Sequence, residues 1–337
     1  MMANFAIGST RVRTTLVALA AAICLGFGLA ASAPAYAYPD PIATTLDGGG
    51  DVPVSDPTII VIPRKVDGQS ANQWLLYGTT DNRAFTSPGG VNWTDAGIAG
   101  TPPAWWANYR NIWAPDVSYH PANHEYWMYY SVNSAAAGSA IGLAMSSTGE
   151  PGTWIDYGAP VLTSSAGYDA IDPHSFVAPD GTTWLTSGSF ENGIYIVQVD
   201  SSTGLPIGTP VNIASTGEGS DLIYANGYYY LFFSDGYWCC YGTSNYHVRV
   251  GRSTSPTGPY VDESGTSLMN GGGTTILASH DYVNGPGGSN IFTSPTGQLM
   301  MAYHYWDTRT QGYDGQLGRV LGLNSVGFDA NGWPYLY

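Results

Sequence analysis

Three stretches of this 337-residue chain gather carboxylates just where an extended segment is about to begin: "SDPTII" with Asp56, "GYDAIDPHSF" with Asp169 and Asp172, and "EGSDLIY" with Glu218 and Asp221. Only 10% of the residues are charged, so these knots are conspicuous. Each has an ordinary reading. Asp-Pro at a strand start is commonly a turn, a Glu among Gly and Ser is commonly a solvated loop residue, and His174 beside Asp172 is compatible with a metal site. Brought together, however, such carboxylates would repel one another and be costly to desolvate, and a merely structural fold gains little from collecting them. Hydrolysis of a glycosidic bond does need such a group. One carboxyl stays protonated to protonate the leaving oxygen, one stays ionised to activate water or attack the sugar, and a third can hold the donor's pKa up. No Ser triad motif, phosphate-binding loop or HExxH helix is present, so carboxylate chemistry is what remains.

Short aromatic strands must position these groups. The chain has 25 Tyr, 11 Trp, 44 Gly and 22 Pro, a composition that leans toward all-β structure. One unit recurs five times. Its opening segments are "SDPTIIVI", "APDVSYH", "IDPHSFVAPDG", "EGSDLIYANG" and "GGSNIFTSPTG". The aromatic strands that follow are "NQWLLYGT", "HEYWMYYS", "TTWLTSGS", "GYYYLFFS" and "QLMMAYHYW". Five such units, each with three or four strands, predict a five-bladed β-propeller over residues 38–337 in preference to a two-sheet sandwich, whose strands need not repeat as a unit. In a propeller the first strand of each blade lines the central channel. Asp56, Asp116, Asp172 and Glu218 would then each project toward that channel, and the fifth blade would offer Asn290.

The first 37 residues read as a secretory signal peptide. Arg11 and Arg13 precede the apolar run "LVALAAAICLGFGLA", which is short for a membrane span, and "AYA" at Ala37 suits a signal peptidase. Without them eight basic residues face 25 acidic ones, a net charge of −17, and Lys65 is the sole lysine. Such a surface excludes nucleic acid as a natural partner and favours a neutral ligand. The only cysteines left, Cys239 and Cys240, cannot build a zinc site alone, and export favours a vicinal disulfide between them. No separate association module is visible, so a monomer is expected.

The stretches "SDPTII", "NIWAPDVSYH", "YYSVNSAAAGSAIGLAMSS", "DAIDPHSF", "WLTSGSF", "EGSDLIY", "CCYGTSNYHVRVGRSTSPTGPY" and "NGGGTTIL", in this order from about residue 50 onward, resemble the family 43 glycoside hydrolases, specifically the arabinanases. The resemblance implies a five-bladed propeller that cuts α-1,5-linked L-arabinofuranose chains with inversion. Residue by residue it implies Asp56 as the general base that activates water. It further implies Asp172 as the acid that tunes and orients the proton donor, and Glu218 as the general acid. Asp169, Ala170, Ile171, Ser189 and Phe190 fall where the family contacts the sugar. Inversion implies that Asp56 and Glu218 stand roughly 6.5–9.5 Å apart.

The chain departs from the family at Ser55, where His is usual, at Gly219-Ser220 after Glu218, and at Glu191, where an aromatic is expected. It also departs at Gly288 in "GPGGSN", which replaces a metal-associated histidine. Calcium is the cofactor the family would imply, and Gly288 argues against it, with His174, His280 and His304 as the remaining nitrogen donors. The expected activity is endo-hydrolysis of arabinan. The alternatives are an exo-acting arabinofuranosidase or β-xylosidase on the same fold, and a sugar-binding propeller without catalysis.

Overall fold

The structure is a computed structural model that describes residues 37–337 apart from 67–68, 81, 101–102, 106–111, 135–137, 165–167 and 311–317. The proposed leader, all but its last residue, lies outside them. Five sheets follow one another along the chain, each built mainly of consecutive antiparallel strands, as the five repeats predict; in the first, Thr45–Leu46 adds a parallel edge beside Asn92–Ile98. Their innermost strands are Thr58–Val66, Trp113–His120, His174–Val177, Glu218–Ala225 and Val283–Thr293. The aromatic segments form the second strand of every blade: Gln69–Tyr77, Glu125–Ser134, Thr183–Ser189, Tyr228–Asp235 and Leu299–Asp307. Among the described residues no helix is long and apolar enough to cross a membrane.

Strand alternation explains why the blades pack in a ring. In Tyr228–Asp235, Tyr229, Leu231 and Phe233 join Ile194, Ile196 and Ile213 of the third blade. Tyr230 and Phe232 point the other way, into a cluster with Met301, Tyr303 and Tyr305 of the fifth. Successive side chains of a strand face opposite sides, so one aromatic strand feeds two inter-blade cores. Three further clusters fill the remaining seams, including Trp74, Leu76 and Trp93 against Phe292, Met300 and Leu323 where the fifth blade meets the first. The segment before the first blade laces that closing seam: Ile42 donates to the Leu323 carbonyl, Leu321 to Val52 and Val54 to Arg319.

The inner strands do not open in plain register. One equivalent position near the start of each inner strand has a left-handed backbone: Asp56 (φ 48°), Ala114 (39°), Asp172 (51°), Gly219 (55°) and Gly288 (57°). The ladders shift register between Trp113 and Asp116, between Glu218 and Asp221, and between Gly287 and Asn290. Asp116 faces the channel as the sequence reading expects, but at another depth. The counterpart of Asp56 and Asp172 in the second blade is Ala114, and Asp116 stands two residues deeper, level with Thr58, His174, Asp221 and Asn290. Bulges of this kind leave no trace in residue counts, so the sequence does not show the difference in depth.

Candidate active site

Both levels face the central channel, each blade contributing a left-handed residue and the two after it. The deeper level is a closed hydrogen-bonded belt. Thr58 Oγ1 accepts from Val117 N (3.3 Å), Asp116 Oδ2 from Ser175 N (2.8 Å), Asp221 Oδ2 from Ile291 N (2.9 Å), and Asn290 Oδ1 from Ile59 N (3.0 Å). In these four, one blade's channel side chain ties the next blade's inner strand, and the last bond returns to the first blade. His174 supplies the fifth link with reversed polarity, its Nε2 lying 3.1 Å from the Leu222 carbonyl oxygen.

His174 Nδ1 lies 3.1 Å from Asp116 Oδ1 and 3.5 Å from Asp221 Oδ2. All its neighbours are acceptors, so both ring nitrogens donate and the ring is an imidazolium. Burial opposes that charge, yet Asp221 and Asp116 outweigh it and push the pKa up to about 10. Burial pushes Asp221 up to about 6, with His174 pulling against it, so both are charged at neutral pH.

The upper level is left unbalanced. Asp56 is held from two blades: its backbone N–H donates to His304 Nδ1 (3.0 Å) and its Oδ2 accepts from Thr79 Oγ1 (2.8 Å). Burial raises its pKa, and the buried Arg319 guanidinium and the Thr79 hydroxyl pull the other way. Asp172 accepts the Gly219 N–H at Oδ2 (3.0 Å), while Ser131 Oγ accepts the Asp172 N–H (2.8 Å). Burial, then the charges of Glu218 and Asp56, hold Asp172 well above the carboxylate range. Glu218 Oε1 accepts from Tyr246 OH (2.7 Å). Burial raises Glu218 to about 7 against the opposing pull of that hydrogen bond. Burial thus lifts both Asp56 and Glu218, with Arg319 and one hydroxyl pulling against it at each, so the mouth gathers carboxyls that exchange protons far more readily near neutral pH than free ones, as acid–base hydrolysis requires.

The sugar-contact candidates separate. Ser189 Oγ donates to Asp169 Oδ2 (2.5 Å), and Ile171 and Phe190 keep partial exposure. Ala170 is 0% exposed, packed between the second and third blades with its N–H on Ser139 Oγ. It therefore fixes its neighbours and offers a sugar no surface, which corrects its assignment as a contact. Glu191 is exposed.

The histidines near the channel set out no imidazole nitrogen as a metal ligand. Both nitrogens of His174 are occupied as donors. His304 is buried, its pKa held well below the usual imidazole range by burial and Arg319, and its Nδ1 accepts a backbone N–H; its Nε2 therefore carries the proton and is no ligand. His280 sets both nitrogens against the Ala278 and Pro39 carbonyls. At Gly288 a Cβ would come within 2.7 Å of Asp56 Oδ1 and 2.8 Å of the His304 ring, so this arrangement admits no histidine there.

Sequence reasoning missed Arg319, Tyr246 and Thr79. Arg319 lies with Cζ 4.5 Å from the Trp306 ring centroid, donates from Nη2 to the Trp238 carbonyl (3.0 Å) and reaches Ser55 Oγ from Nη1 (3.4 Å). Its signal was its rarity, one of eight basic residues after the leader. Cys239 and Cys240 form the expected vicinal disulfide.

The comparisons with known proteins agree with this geometry. The sequence profile described as "Glycosyl hydrolases family 43" matches residues 68–334. The chain is 37% identical over 334 residues to the extracellular endo-α-(1→5)-L-arabinanase 1 of Bacillus subtilis, covering 93% of this chain and 95% of that protein. Among solved structures, the family 43 endo-arabinanase of Bacillus licheniformis superimposes with a TM-score of 0.74 at 35% identity, over 87% of this chain and 100% of that one. An exo-1,5-α-L-arabinanase from a bovine ruminal metagenomic library gives the same TM-score at 32% identity, over 85% and 97%. With its five blades, its channel-mouth carboxylates and this match over most of its length, the chain belongs to the glycosyl hydrolases of family 43.

Proposed function

We propose that this glycoside hydrolase is exported and cleaves α-1,5-linked arabinofuranose chains internally, as a monomer and with inversion. The observation that carries this reading is the gathering of Asp56, Asp172 and Glu218 at one channel mouth, where burial raises all three and lifts Glu218 to about 7. Asp56, aided by Arg319 and Thr79, takes a proton from the attacking water. Glu218 gives its proton to the leaving oxygen. Asp172 stands between them through the Gly219 N–H and keeps the backbone beside Glu218 in place. The substrate class comes from the similar arabinanases, and export from the apolar leader together with the extracellular relative.

The similar exo-arabinanase supports the second reading, release of units from chain ends. Incubation of the purified protein with linear arabinan separates the two. A ladder of oligosaccharides at early times is expected; a single small product from the outset would establish the exo mode, and saccharide binding without turnover would establish a binding protein. Proton NMR of the first-formed anomer tests inversion. With no imidazole nitrogen offered to a channel metal, turnover after chelator treatment is expected to equal that of the untreated enzyme. Loss of activity restored by a divalent cation would refute this.

A further inference from the structure

The segment 236–246 joins the second and third strands of the fourth blade and contains the molecule's adjacent exposed aromatics, Tyr237 (56% exposed) and Trp238 (41%). Large aromatics on a loop are ordinarily covered, because leaving that much apolar area in water is unfavourable. Here the backbone beneath them is pinned at several points. Ser244 Oγ donates to the Tyr237 carbonyl (2.8 Å), Asn245 Oδ1 accepts the Tyr237 N–H, and Arg319 Nη2 donates to the Trp238 carbonyl (3.0 Å). The Cys240 carbonyl takes the N–H groups of Thr243 and Ser244 (3.0 and 3.1 Å), and the Cys239–Cys240 disulfide closes the centre of the loop.

The loop is also tied to the acid–base pair. Tyr246, at its end, donates to Glu218. The Trp238 ring lies 5.4 Å from Arg319 Cζ, and the same guanidinium reaches Ser55, the neighbour of Asp56. One part of Trp238 thus rests on a cation buried at the channel mouth, while two-fifths of the residue stays open to solvent. A rigid aromatic beside a cleft offers the flat apolar surface that the C–H face of a sugar ring covers, at little cost in side-chain entropy.

We propose that Trp238, fixed on the disulfide loop, is a stacking platform for a pentofuranose unit of the substrate lying beyond the unit that is cleaved. The platform rests on the arabinan reading above and extends it, since it assigns an outer subsite to the fourth-blade rim. It favours chains long enough to reach from the carboxylates to the rim.

The test is steady-state hydrolysis of linear α-1,5-arabino-oligosaccharides of increasing length by the wild type, Trp238→Ala and Trp238→Phe. For Trp238→Ala, KM is expected to rise about tenfold on long chains, the effect of losing one aromatic anchor. The rise should shrink on the shortest chains cleaved, and Trp238→Phe should recover most of the loss. In parallel, a long oligosaccharide should change the tryptophan fluorescence of the wild type more than that of Trp238→Phe. A KM for Trp238→Ala that matches the wild type at every length would overturn the platform. So would a loss confined to kcat and independent of length, which would mean that the ring acts only through Arg319. Absence of any turnover by the wild type on arabinan would instead remove the substrate reading, and the platform with it.

Discussion

Two levels of the same channel, only two or three residues apart along the chain, have opposite electrostatics. At the deeper level Asp116, His174, Asp221 and Asn290 pair with one another and tie successive blades, and the imidazolium sits between two anions. At the mouth Asp56, Asp172 and Glu218 are three acids for one buried guanidinium, and burial lifts all three. A repeat can thus use equivalent positions either to hold the ring closed or to keep protons in dispute. The deeper level contributes stability, whereas the mouth gives stability up for chemistry.

Substitutions at the two levels should therefore separate stability from activity. The largest effect expected is at the mouth. Asp56→Ala or Glu218→Ala should lower kcat on arabinan by about three to five orders of magnitude, the combined scale of lost acid–base and electrostatic assistance. Their urea midpoints should stay at or above that of the wild type, since each removes a buried like charge. Wild-type turnover in either variant would end the assignment. At the deeper level Asp221→Ala should cost roughly 3 kcal/mol in the same titration, because it strips a partner from a buried imidazolium and leaves the Ile291 N–H unpaired. Equal urea midpoints for Asp221→Ala and Asp56→Ala would erase the distinction between the levels.

Smaller effects sharpen the contrast through pH. His174 has its pKa raised from 6.5 to about 10 in the folded state, so its contribution is fully present below 6.5 and fades as pH rises toward 10. Glu218 has completed its own titration, near 7, before the upper part of that window. Thermal unfolding followed above pH 8 should accordingly show a decline in the wild type that flattens in His174→Asn. A decline of equal slope in both would mean that the ring is not charged. At the mouth, Tyr246→Phe removes the hydrogen bond that pulls the Glu218 pKa down, so the alkaline limb of kcat should move to higher pH with only a few-fold change in its maximum. An unmoved limb would separate Glu218 from that limb.

Much of the site was legible along the chain because its parts are local. Asp-Pro at 56–57 and 172–173 marks where an inner strand is about to begin, and each Asp stands there with a left-handed backbone and lines the channel. Glu218 was legible because it too opens a repeat. Thr79, Tyr246 and Arg319 were not, since they lie just outside later strands of the first, fourth and fifth blades and meet the acids only when the ring closes. The depth of Asp116 was not legible either, because a bulge changes depth without changing residue type.

The sequence by itself determined the number of blades and the acids that open them, because strand alternation and turn chemistry act between neighbouring residues. Only the tertiary structure decided which acids are paired and which compete for protons. That choice depends on distances between blades and on burial, so Asp221 meets an imidazolium across the channel while Glu218, three residues earlier, is left to hold its proton.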